Sequence, residues 1–186
     1  GPLLLFWALS LYFTARALDG ARPTDWLWLG VCAGLGLLSK YSMVFYVPSL
    51  LVYLLISPEH RRWLARPWPY LGALVAGLIL APNLLWNARH QYVSLHHTAD
   101  IAQLDRDLFH WDALAEFFLA QFGVFGPVGM LALLVLIWSW RALHADLRLR
   151  FLAAFCLVPL AAFLALSLLS RAFANWAAFA YVAGSP

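Results

Sequence analysis

The segment FLAAFCLVPLAAFLALSLLS, Phe151–Ser170, contains no Asp, Glu, Lys or Arg. A helix of about 20 apolar residues is what a hydrocarbon core of about 30 Å requires. In lipid every backbone N–H and C=O must find its partner inside the chain, and an uncharged run does this as a helix. Working outward, Leu3–Ala15, Trp68–Trp86 and Phe117–Trp140 are also free of charge. Over all 186 residues, 64% are hydrophobic and 11% charged, and the mean hydropathy is +0.77. A soluble domain carries roughly a quarter charged residues, so this chain cannot cover itself with polar surface. Strand-type alternation, the mark of a membrane barrel, is absent. The expected fold is an all-α, polytopic transmembrane helix bundle with about six crossings.

The crossings are expected at 2–16, 24–39, 41–57, 68–86, 114–139 and 150–170. The division at Ser39-Lys40-Tyr41 decides the topology. One helix over 26–56 would extend about 46 Å and would hold Lys40 near mid-membrane at about 2.5–3.5 kcal/mol. Two short crossings meeting at Lys40 avoid that cost. They also place Arg16, Arg22, Arg61, Arg62, Arg66, Arg141, Arg148 and Arg150 on one face. Lys40, Arg89, Arg106 and Arg171 fall on the other, beside Asp100, Asp105, Asp107 and Asp112. The basic excess marks the cytoplasmic side. Trp26, Trp28, Tyr41, Tyr46 and Tyr53 can anchor the short pair at the headgroups, where the lipid boundary dips locally.

The chain opens Gly1-Pro2 without Met and closes at Gly184-Ser185-Pro186, each end beside an apolar run. It is therefore expected to be 1–186 of a larger transmembrane domain, with no signal peptide to be read. Cys32 and Cys156 lack metal-type spacing and read as small apolar residues. A net charge of +3 gives no reason to expect nucleic acid.

Three polar clusters fall on the outer face. Lys40, the single lysine, is followed by Tyr41. Lysines at helix ends commonly snorkel to the interface, but a compact ammonium at a turn also suits a phosphate. Asn83, Trp86, Asn87 and His90 end the fourth helix behind Pro82, Asn83 and Asn87 sharing one face and Trp86 and His90 another. An interfacial belt with a proline kink is the plainer reading. Arg171, Asn175 and Trp176 repeat the same vocabulary. The opposite face carries plain arginine loops, so a polar site on the outer face is expected: aromatics and amides for sugar rings, cations for a phosphate. The outer loop 87–112 holds His90, His96, His97 and His110. His96 and Asp100 would share a helical face, which is a weak metal signal beside an acidic solvated loop. HExxH, CxxC, P-loop and nucleophile-elbow motifs are absent.

At these residues the sequence resembles bacterial family 39-type glycosyltransferases of the GT-C superfamily, relatives of protein O-mannosyltransferases and of the aminoarabinose transferases that modify lipid A. The matching pieces are Pro2-Leu3-Leu4-Leu5-Phe6-Trp7, Gly34–Tyr41, Pro82–His90 with Ser94, and Ala174-Asn175-Trp176, in the family's order. The resemblance implies transfer of a sugar from a polyprenyl-phosphate donor to an acceptor, on the extracytoplasmic side of a bacterial inner membrane. It also implies a donor-phosphate contact at Lys40 and Tyr41, with Asn83, Trp86, Asn87, His90, Arg171, Asn175 and Trp176 as substrate-site candidates. The family's catalytic carboxylate lies on a loop upstream of Leu3, so the resemblance names no catalytic base in this chain, and none of Asp100, Asp105, Asp107 or Asp112 is given that role. No cofactor is expected; some relatives bind a divalent metal, which no motif here supports. The alternatives are a membrane transporter, which would call for charges or broken helices at mid-membrane, and a non-catalytic scaffold.

Overall fold

A computed structural model describes residues 1–20, 22–92, 109–170 and 172–184. Among them there is no strand, and the all-α expectation holds. The helices are α1 (Pro2–Leu18), α2 (Thr24–Ser39), α3 (Tyr46–Ile56), α4 (Pro67–Arg89), α5 (Trp111–Val124), α6 (Pro127–Trp138), α7 (Trp140–Ala145) and α8 (Leu147–Leu169). Tyr41–Phe45, Arg61–Ala65 and Ala174–Val182 are 3-10 turns. The chain divides into two compact units, Gly1–Ala88 and Arg89–Pro186.

In the first unit α1 buries Trp7, Ser10, Leu11, Thr14, Ala17 and Leu18, the three-and-four spacing of one helix face, and packs along α2. Asp25, 2% exposed, sits in the first turn of α2, where the helix dipole favours a carboxylate. Arg16 Nη2 reaches its Oδ1 at 3.3 Å. Thr14 Oγ1 shares a 2.7 Å hydrogen bond with Tyr46 Oη, and Trp7 meets the Tyr46 ring edge-on at 5.1 Å, so α3 is fastened to α1. Small residues bring α2 against α4. A Cβ on Gly30 would overlap the Gly72 carbonyl, and one on Gly34 would come within 2.9 Å of Ile79 Cβ. Gly30 and Gly34 facing Gly72 and Ala76 form the small-xxx-small contact of membrane helices.

The second unit contains the main departure from expectation. The crossing expected at 114–139 is not one helix: α5 and α6 meet at 115°. Gly126 has φ +83° and ψ 149°, a conformation open in practice to glycine alone. Pro127 lacks the N–H that would continue α5 and begins a new helix. Phe125 stacks on Tyr181 at 4.1 Å and 8°, which holds the corner. α8 starts at Leu147, earlier than the expected 150, because Asp146 Oδ1 caps it, accepting from Arg148 N (2.7 Å) and Leu149 N (3.3 Å). The His110 N–H donates to Leu168 O at 2.7 Å, joining the start of α5 to the end of α8. The final 3-10 turn buries Ala177, Phe179, Ala180 and Tyr181 and packs against α8.

By length and composition α4 and α8 can cross a membrane, and the bent α5–α6 pair makes a third candidate. Pro2–Leu18, Thr24–Ser39 and Tyr41–Ile56 are shorter apolar helices. The six crossings expected from sequence, with a short pair meeting at Lys40, thus correspond to two long helices, one bent pair and three short helices among the described residues.

Candidate functional site

The turn between α2 and α3 is where expected. Ser39 Oγ donates to Gly36 O at 2.7 Å, and the Lys40 N–H closes the last helical bond to the same carbonyl at 2.9 Å. Lys40 is then extended, φ −163° and ψ 130°, and Met43 N returns to Lys40 O at 3.0 Å. Gly36 permits the reversal: a Cβ there would lie 2.8 Å from Met43 Cγ. The turn therefore leaves the Lys40 side chain exposed and directs Tyr41 towards α4.

On α4, Pro82 contributes no N–H inside the helix, which frees the carbonyl one turn earlier. Asn83 and Asn87 follow, four residues apart on one face. Tyr41 Oη donates to Asn83 Oδ1 at 2.8 Å. Asn87 Nδ2 donates to Asn83 O at 3.0 Å and contacts Asn83 Oδ1 and Tyr41 Oη, each at 3.3 Å. Asn87 is 1% exposed, whereas Tyr41 and Asn83 are half-buried. Tyr41 of the first expected cluster and Asn83 and Asn87 of the second are thus one hydrogen-bonded group, with Lys40 next to it in the chain. Among the described residues the Lys40 ammonium has no ion pair or hydrogen bond. Partial desolvation of the ammonium lowers its pKa from the ordinary lysine value.

Trp86 is on α4 and 51% exposed. His90, just past α4, is exposed and belongs to the second unit. In that unit Asn175 is exposed, while Trp176 packs on Phe163 at 6.1 Å and Phe173 at 5.4 Å. Arg171, Ser94, His96, His97, Asp100, Asp105 and Asp107 lie outside the described residues. Among those described, no three His, Cys, Asp or Glu side chains gather where a metal ion could be held.

Sequence reasoning gave no role to Gln121, which is 0% exposed on α5. Its Nε2 donates to Phe117 O at 3.0 Å and to Ala174 O at 3.3 Å, and its Oε1 accepts from Tyr181 Oη at 2.8 Å. One amide in an otherwise apolar run was the available signal. This group ties the final 3-10 turn to α5.

Residues 1–86 match the family model of dolichyl-phosphate-mannose-protein mannosyltransferase. Over 98% of its length the chain is 34% identical to a lipid A galacturonosyltransferase of Rhizobium johnstonii. Over 45% of its length it is 34% identical to a lipopolysaccharide core galacturonosyltransferase of the same organism. The chain is similar in sequence to these galacturonosyltransferases. It spans 38% of the length of the first relative, and the second alignment covers 17% of its protein. The family match takes in Lys40, Tyr41 and Asn83, and ends one residue before Asn87. No solved structure matches the chain significantly.

Proposed function

We propose that the protein transfers galacturonic acid from a polyprenyl-phosphate donor to a lipid A-type acceptor on the extracytoplasmic side of the membrane. The observation that carries this reading is the Tyr41–Asn83–Asn87 group beside an ammonium that has no counter-ion among the described residues. Lys40 takes the donor phosphate, the negative group released when the C1–O bond to the carrier breaks, and stabilises the charge that gathers there. The phenol of Tyr41 and the amide of Asn83, both half-buried, lie at hand for sugar hydroxyls, and the buried Asn87 amide holds them in place. The acceptor hydroxyl attacks C1, and its proton passes to a carboxylate that the family resemblance puts outside these residues. The sugar and the acceptor follow the names of the two relatives.

The test uses protein expressed from its complete gene, with a synthetic polyprenyl-phosphate galacturonate and lipid A. Galacturonylated lipid A, identified by mass, is the expected product. Donor turnover with no acceptor modified, or movement of donor across vesicles without any transfer, would overturn the proposal; the second result would point to a transporter.

A further inference from the structure

The start of α4 carries a second polar site. Gly20, Arg62, Trp63, Arg66 and Trp68 line a cavity of about 240 Å³. It lies within the first unit, where the α1–α2 connection meets the 3-10 turn Arg61–Ala65 and the first residues of α4. Arg62 and Arg66 are exposed, and among the described residues neither has a carboxylate partner. Arg62 stands over the Trp63 ring at 5.9 Å. Neighbouring Arg61 is engaged differently, donating from Nη2 to Leu55 O at 2.6 Å. The Trp63 indole nitrogen is buried without a hydrogen-bond partner. Trp63 also packs on Trp26 at 5.3 Å, so the wall of the cavity is fixed from below.

α4 runs 23 residues from Pro67 to Arg89, about 34 Å. Asn83 and Asn87 are in its last two turns and this cavity is at its first, so the two sites lie at opposite ends of one membrane-length helix. The cavity cannot be part of the Lys40 group.

We propose that this cavity binds the phosphodiester headgroup of an anionic membrane phospholipid. Two unpaired guanidinium groups suit the phosphate, since each offers a planar fork of donors. Two tryptophans at a helix start place the site at headgroup level, where indoles concentrate. The first turn of α4 adds the positive end of its dipole. Basic pockets between membrane helices hold acidic headgroups by this combination of charge and depth.

The experiment reconstitutes the protein in nanodiscs of phosphatidylcholine with equal mole fractions of phosphatidylglycerol or added phosphatidylcholine, then counts retained lipid by native mass spectrometry. A preference for phosphatidylglycerol of about thirtyfold is expected from two cations at the surface. Arg62→Gln and Arg66→Gln should each lower it about fivefold, and together should abolish it. The single variants keep the turn largely intact, so the test stands even if the double variant fails to fold. The control pair Arg141→Gln with Arg148→Gln, exposed arginines of the second unit, should leave the preference unchanged. Equal retention of both lipids, or equal loss in the control pair, overturns the proposal. Glycerol phosphate binding as tightly as the lipid would also overturn it, because a soluble phosphate would then be the ligand.

Discussion

Two polar knots in apolar surroundings, one in each unit, are built differently. In the Arg89–Pro186 unit, Gln121 spends its amide on Phe117 O, Ala174 O and Tyr181 Oη; Gln121 is fully buried and Tyr181 nearly so. That knot is closed, with no charge in it. In the Gly1–Ala88 unit, Tyr41 and Asn83 remain half-buried, and next to them in the chain stands a lysine that has no counter-ion among the described residues. A buried network with every group satisfied rigidifies a fold. One left partly open beside a cation has capacity for a ligand. The two polar groups thus differ in what their hydrogen bonds leave over, and the proposed binding site is the open one.

The comparison assumes that the first unit holds its shape, and the largest effect tests that assumption. Gly30→Val should destabilise the protein by about 3 kcal/mol or more, because the new side chain meets the Gly72 backbone and not a movable side chain. Thermal unfolding in detergent measures this, and a melting temperature within a degree of the parent would show that α2 and α4 do not touch there. Next, Lys40→Met in protein from the complete gene should weaken donor use about ten- to hundredfold, from a charged hydrogen bond of about 1.5–3 kcal/mol. Lys40→Arg should restore only part, since a planar guanidinium is a poor copy of a point charge. Donor-concentration dependence of transfer is the readout, with unchanged unfolding as the control. Parental kinetics in Lys40→Met would make the residue a snorkelling anchor.

Gln121→Met should give the opposite pattern. Leaving the Tyr181 hydroxyl buried without its acceptor should cost about 1–3 kcal/mol of stability, with the apparent donor affinity unchanged. If donor affinity fell by tenfold while stability held, the distinction between closed and open knots would fail. The smallest effect is expected for Tyr41→Phe. It removes the 2.8 Å donor to Asn83 while Asn87 still serves that oxygen, so stability should fall by about 1 kcal/mol or less. A larger loss in donor use than in stability would place the phenol in contact with the sugar.

The turn at Lys40 could be read from sequence because a charge amid apolar residues has few places to go, and the boundaries 24–39 were observed unchanged. The pairing of Asn83 with Asn87 followed from helical spacing. That Tyr41 would complete the group did not follow, since the close approach of α2 to α4 depends on Gly30 and Gly72 meeting across 42 positions. The corner at Gly126 was hidden for another reason: apolarity is uniform from Phe117 to Trp138, and hydropathy alone does not report direction. Gly126-Pro127 held the signal, as a flexible residue followed by one that cannot continue a helix. The cap at Asp146 was obscured because a carboxylate between His144 and Arg148 looks like part of a charged loop.

The corner at Gly126 also makes bilayer thickness a local variable. α5 and α6 are about 21 and 18 Å long, so neither arm matches a core of about 30 Å, whereas α8 at about 34 Å exceeds it. Trp111 and Trp138, 68% and 92% exposed, stand at the outer ends of the bent pair and are of the residue type that concentrates at headgroups. A thinner membrane therefore relieves the bent pair while it forces α8 to tilt, and a thicker one does the reverse. With the start of α5 tied to the end of α8 through His110 and Leu168, the two responses are mechanically opposed. Acyl-chain length thereby becomes a load on the hinge at Gly126.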